Sequence, residues 1–134
     1  MSSFMYTQSA WLALAGGGVL GTFLRYWLVQ GGVRLAGPDF PYGVLCANLL
    51  GSFGIALCVA WFATAFQNQP AWRLFLIVGV FGSFTTFSTF SLDLLIFLQR
   101  GQAGLGIVYC LASVVGGVLL AWGGWTLGLL LKSA

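Results

Sequence analysis

The sequence predicts an all-α membrane protein with four transmembrane helices, and three observations carry that prediction. The 134-residue chain is 60% hydrophobic and only 5% charged, with a mean hydropathy of +0.99. A soluble domain of this size keeps much of its surface in water and cannot hide so much apolar area. One crossing of the hydrocarbon takes about 20 apolar residues as a helix, so this length suits about four crossings and leaves no room for an extramembrane domain. Finally, short polar turns divide the apolar runs. Residues 1–134 therefore read as a single integral membrane domain, with spans at about 10–29, 42–66, 74–98 and 103–131.

The same composition excludes several classes of function. There is no His and no Glu, and Asp39 and Asp93 are the acids. General acid–base catalysis, carboxylate dyads and His-based metal sites have almost no raw material, so an enzyme is not expected. A net charge of +3, scattered along the chain, does not fit nucleic-acid binding. Cys46, Cys58 and Cys110 fall inside apolar runs and read as small, reduced packing residues. The N-terminus lacks the basic region and cleavage site of a signal peptide, so the first apolar segment is expected to be retained.

Residues Met1 to Gln8 are polar and expected to fray. The first span, about Ala10 to Val29, opens with Gly16, Gly17, Gly18 and Gly21, which let helix backbones approach closely in lipid. Arg25 falls one turn before the expected end, beside Tyr26 and Trp27, where it either snorkels to headgroups or lends positive potential to a vestibule. Gln30 to Pro41 reads as a connector broken by Gly31, Gly32, Gly37, Pro38 and Pro41. The second span, about Tyr42 to Phe66, is uncharged. Its Asn48 must find a partner in hydrocarbon, either on another helix or in an ion. Gln67 to Pro70 makes the next turn, with Trp72 and Arg73 as interfacial anchors.

The third span, Leu74 to Leu98, contains GVFGSFTTFSTFS from Gly79 to Ser91. Phe81, Phe84, Phe87 and Phe90 recur every third residue, and each step of three drifts by about 60° on an ideal helix. A straight helix cannot put them on one face, so an interruption is expected here. After the turn at Gln99 to Gln102, the fourth span, about Ala103 to Leu131, carries Tyr109 and Ser113 one turn apart, with Gly117 continuing the line.

Four spans put Arg73 and Lys132 on one side and Arg34 and Arg100 on the other. Two cations against two give the positive-inside rule nothing to act on. Insertion both ways up, and an antiparallel dimer with two-fold-related surfaces, follow as expectations.

The intramembrane polar groups are almost all neutral donors: Asn48, Ser52, Ser83, Thr85, Thr86, Ser88, Thr89, Ser91, Tyr109 and Ser113. Proton-coupled carriers need a buried carboxylate, and cation pores show acidic rings or carbonyl filters. Hydroxyl and amide donors suit a small anion, and the positive edges of phenylalanine rings add to them. Carbonyls freed by an interrupted helix oppose an anion and would bind a cation nearby. Singly, each residue has a plainer reading, since Ser and Thr often bond back to their own helix. Their clustering argues for a small-anion pathway, without naming the anion.

At these residues the sequence resembles the small bacterial fluoride channels, the Fluc family. The resemblance covers about Gly16 to Leu130. It rests on Leu24-Arg25-Tyr26 closing a Gly-rich first span, on ANLLGSF from Ala47 to Phe53, and on FGSFTTFSTFS from Phe81 to Ser91. It implies a passive, fluoride-selective channel of the bacterial cytoplasmic (inner) membrane that lets fluoride escape down its electrochemical gradient. It also implies a dual-topology homodimer in the bilayer, two subunits packed antiparallel, with two fluoride pores at their interface. The third helix would break at its centre, and by motif position the carbonyls of Gly82 and Thr85 would hold a central structural sodium ion. Phe87 and Phe90 would turn ring edges to fluoride, and Asn48 would donate to it. Ser88 and Thr89 match hydroxyls of the vestibule and path, and Tyr109 and Ser113 a polar track. Arg25 matches an arginine near the pore mouth. Phe81 and Phe84 return to packing. Three departures stand out: Ser83 replaces a common second glycine, Asp93 stands where Glu is usual, and Gly117 replaces a further hydroxyl.

The competing reading is a dual-topology, proton-coupled exporter of cationic compounds of the small multidrug type. It requires an acidic residue in the first span, which has none.

Overall fold

A computed structural model describes residues 7–133. Thr7 caps the first helix, its hydroxyl accepting the Ala10 N–H at 3.4 Å. Helix α1 then runs Gln8–Ala36, so Gln8 belongs to the helix rather than to a frayed end; residues 1–6 lie outside the described residues. Contrary to the sequence expectation, Gly31 and Gly32 do not stop α1. In water a helical glycine costs about 1 kcal/mol against alanine, whereas an unsatisfied backbone group in hydrocarbon costs several. The helix therefore continues until Gly37, whose φ of 85° permits its N–H to turn back to the Val33 carbonyl at 2.9 Å.

Helix α2, Tyr42–Trp61, is also bounded differently from the expected 42–66. Twenty residues rise about 30 Å, one hydrocarbon thickness. The chain then bends at Phe62 into the short α3, Ala63–Asn68, with Trp61 and Phe62 stacked at 4.7 Å between ring centroids.

The third span is not one helix. It begins as α4, Pro70–Arg73, widens into a π-helical stretch over Leu74–Phe81, and closes with a single turn, α5, at Gly82–Phe84. Thr85 and Thr86 are then extended (φ −85°, ψ 157° and φ −151°, ψ 120°), and α6 restarts at Phe87–Gln99. This is the expected interruption. Its extended backbone is carried by two threonines, a β-branched type suited to that conformation. Ser83 sits in the helical turn before the break, and no described residue other than glycine has a positive φ. The lost glycine freedom at position 83 is therefore not needed. Helix α7, Ala103–Ser133, completes the fold.

Glycines set the contacts between spans. A Cβ on Gly17 would overlap the Phe75 carbonyl, and one on Gly21 the Val80 carbonyl, so α1 lies backbone to backbone on the π-helical stretch. Gly124 and Gly128 receive the Phe53 and Leu57 carbonyls and press α7 onto α2. Gly51 and Gly54 form notches in α2 for the Thr85 methyl and the Phe81 ring. Phe84 approaches the same notch at Gly51, so the first two phenylalanines of the period are packing groups. Among the described residues, four helical stretches, Gln8–Ala36, Tyr42–Trp61, Pro70–Gln99 and Ala103–Ser133, are long and apolar enough to cross a membrane. Each leaves large apolar side chains such as Leu12, Leu50, Leu92 and Val118 exposed, a surface matched to lipid.

Candidate functional site

The break is held open by a single side chain from α2. Asn48 Nδ2 donates to the Thr86 carbonyl at 3.1 Å, and the Thr86 N–H donates to Asn48 Oδ1 at 2.8 Å. An amide side chain thus supplies the donor and acceptor that a continuous helix would have provided. Thr86 N–H is the group that would normally bond to the carbonyl four residues earlier, at Gly82. Its diversion to Asn48 releases the Gly82 oxygen. One residue earlier, Phe81 O accepts both the Thr85 N–H at 3.0 Å and the Thr85 Oγ1 hydroxyl at 2.9 Å, ending α5. Thr86 Oγ1 caps α6 by accepting the Thr89 N–H at 3.3 Å.

Two cavities border this clamp, and Thr86 lines both. The first, about 300 Å³, brings together Asn48, Phe87, Phe90 and Ser113 of the sequence-predicted residues, with Ser52, Thr85 and Thr86. The Phe87 and Phe90 rings lie 5.8 Å apart at 45°. Phe90 is buried, but Phe87 is 80% exposed in the single chain, in the middle of a span. The buried Ser113 Oγ has no hydrogen-bond partner among the described residues. Ser52 takes the plainer role, its hydroxyl donating back to the Asn48 carbonyl at 2.7 Å.

The second cavity, about 250 Å³, is lined by Thr22, Arg25, Tyr26, Val29, Val44, Thr86 and Thr89. It collects two more of the expected residues, Arg25 and Thr89. Because α1 ends at Ala36 rather than Val29, Arg25 stands eleven residues inside the helix, about 16 Å from its end, and not one turn from it. Arg25 is half-buried and shares this cavity with Thr22, Thr86 and Thr89.

Other expected residues fall outside both cavities. Ser88 is exposed, its Oγ 3.3 Å from Thr86 Oγ1. Tyr109 is fully buried among Phe40, Phe90 and Phe97, and its hydroxyl donates to Asp93 Oδ2 at 3.0 Å. Its hydroxyl is therefore engaged with Asp93, which has a partner within its own reach. Gly117 faces Ser52 Oγ, which a Cβ would meet at 3.5 Å. Gly82 is exposed, whereas Thr85, its companion in the expected sodium site, does line the first cavity.

The sequence reading counted Thr86 only among the neutral donors and did not single out Thr22. The spacing that marks Thr86 is its position three residues before Thr89, the spacing of a cap; Thr22 stands one turn before Arg25 on the same helix face.

The family described as "CrcB-like protein, Camphor Resistance (CrcB)" matches residues 12–125. A protein named fluoride-specific ion channel FluC from Agrobacterium fabrum is 44% identical over 115 residues, covering 86% of this chain and 92% of its own. Namesakes from Rhizobium leguminosarum bv. trifolii (45% over 103 residues, 77% and 82% covered) and Rhizobium meliloti (40% over 116 residues, 87% and 93%) are similar over comparable lengths. The match to the family runs through every span that builds the two cavities, and by it this chain belongs to the CrcB, or Fluc, family.

Proposed function

We propose that this protein is a passive fluoride-selective channel of the bacterial inner membrane, working as an antiparallel homodimer with two pores. The observation that carries the reading is the first cavity, where Asn48, the Phe87–Phe90 pair and the unpartnered Ser113 hydroxyl converge without a carboxylate. Relatives of similar length carry the name fluoride-specific ion channel. A small anion that sheds water needs donors in return, and amide, hydroxyl and aromatic edges are such donors. Fluoride accumulates in cells because HF crosses lipid and dissociates inside. A passive pore is enough to release the trapped ion.

Support for the dimer is the position of Phe87, a large ring 80% exposed at a cavity that one chain leaves open. A second copy in the opposite orientation would close it, and the balanced flanking charges permit both orientations. The structural sodium ion fits the residues present. The Gly82 carbonyl is released by the Asn48–Thr86 clamp and lies at an exposed position, and Thr85 is extended beside it. Neutral carbonyl oxygens suit a hard cation. Together with their copies in the partner, Gly82 and Thr85 would hold the ion and bind the two breaks to each other. The proton-coupled exporter is disfavoured, since the first span carries no acid that could exchange a proton.

The test is efflux from liposomes containing purified protein, followed with fluoride and chloride electrodes. Fluoride release with chloride retained is expected, and Asn48→Ala and Phe87→Ala should silence it. Equal release of both ions would reject the assignment. Replacing sodium with a large organic cation should weaken the dimer, read as a lower unfolding temperature.

A further inference from the structure

The two cavities share one residue. Thr86 lines both the cavity of Asn48, Phe87 and Phe90 and the cavity of Arg25 and Thr89. Its side chain is only 9% exposed, and Asn48 fixes its peptide groups on both sides. Its hydroxyl joins two others: Oγ1 donates to Thr89 Oγ1 at 3.1 Å and lies 3.3 Å from Ser88 Oγ.

We propose that the Thr86 hydroxyl is a positioning and specificity-determining group that passes the anion between the Arg25 cavity and the Phe87–Phe90 cavity. The inference rests on the anion-channel reading and adds to it a residue that otherwise only caps a helix. An ion leaving Arg25 gives up a favourable charge, and crossing an undecorated partition would leave it without donors. Thr86 carries a hydroxyl at that partition. Rotation about Cβ–Oγ swings its hydrogen from Thr89 Oγ1 to the ion while every heavy atom stays in place. Ser88 Oγ, at the same distance scale, can donate into the oxygen that remains. The clamped backbone makes the hydroxyl the moving part. The partition also carries no negative charge, so it does not oppose an anion as a carboxylate would.

Three substitutions separate a relay from a cap. Ser keeps the hydroxyl and the cap; Val keeps the shape and loses both; Asp keeps the cap but puts a negative charge in the partition. Each is reconstituted in liposomes, fluoride efflux is recorded, and the unfolding temperature is measured on the same preparation. Thr86→Ser should conduct within about threefold of wild type, while Thr86→Val should lose about tenfold or more, the equivalent of one hydrogen bond. Thr86→Asp, less stable because its charge is buried but still folded at the assay temperature, should be silent. Wild-type flux from Thr86→Val or from Thr86→Asp would overturn the proposal. If Thr86→Val yields no folded protein, the Ser and Asp variants decide alone. Wild-type protein that releases no fluoride would overturn the channel reading itself. Wild-type release abolished by Asn48→Ala but kept by Thr86→Val would reject only the Thr86 assignment.

Discussion

Asn48 and Thr86 meet head to head, the side-chain amide of one pairing with the backbone N–H and carbonyl of the other at 2.8 and 3.1 Å. The pair replaces a missing piece of helix ladder with a contact between spans. Asn48→Ala leaves both backbone groups of the buried Thr86 without these partners. The expected loss is about 1–3 kcal/mol of stability, read from thermal unfolding in detergent. Asn48→Asp keeps the acceptor and turns the donor into a second acceptor facing the Thr86 carbonyl, so it should be no more stable than the alanine variant. A variant with wild-type stability would mean that something else holds the break.

Phe87 and Phe90 should separate in their effects. Phe90 is buried and its ring lies 5.3 Å from that of Tyr109, so Phe90→Ala should cost about 3–5 kcal/mol of stability. Phe87 is largely exposed in the single chain, so Phe87→Ala should leave the fold of that chain nearly unchanged while abolishing fluoride flux. Measuring flux and unfolding temperature on the same samples checks the split. Similar destabilisation by both would contradict it.

Tyr109 and Asp93 should be energetically coupled. Tyr109→Phe and Asp93→Leu each remove one end of a 3.0 Å hydrogen bond that ties α6 to α7. A double-mutant cycle is expected to give an interaction of about 0.5–3 kcal/mol. Additive losses would show that the bond contributes nothing beyond packing.

The length of α1 can be tested with two glycines. Gly31 is helical with no atom near its absent Cβ, so Gly31→Ala should stabilise the protein by about 0.5–1 kcal/mol. Gly37 has a φ of 85°, and Gly37→Ala should destabilise it. Destabilisation by both would restore the shorter helix.

Dual orientation predicts a two-sided labelling pattern. In a background with Cys46, Cys58 and Cys110 replaced by serine or alanine, Gln102→Cys lies in an exposed turn. A membrane-impermeant thiol reagent added to intact cells should label about half of it, and the rest after permeabilisation. Complete labelling from one side would exclude both-ways insertion.

The four spans were legible because lipid demands long apolar runs, and the break because Phe81 to Phe90 repeat at a period no straight helix keeps on one side. What stayed hidden depended on contacts between distant residues. Gly31, Gly32 and Gly37 look alike as letters, yet one stops α1 and two do not, and that difference decides how deep Arg25 lies. Asn48 announced that it needed a partner, but its partner is a backbone 38 residues away. Tyr109 and Ser113 share a helix face by spacing, while the tyrosine hydroxyl is engaged by Asp93 on the preceding helix.

The clamp on the break has a bearing on how the protein is made. Asn48 lies in the second span and Thr86 in the third, so during synthesis the side chain that satisfies the break precedes it along the chain. The freed backbone can be met by a donor and an acceptor already present in its own chain, before any second copy arrives. A newly inserted subunit, whichever way up, can thus carry a finished interruption to its later assembly.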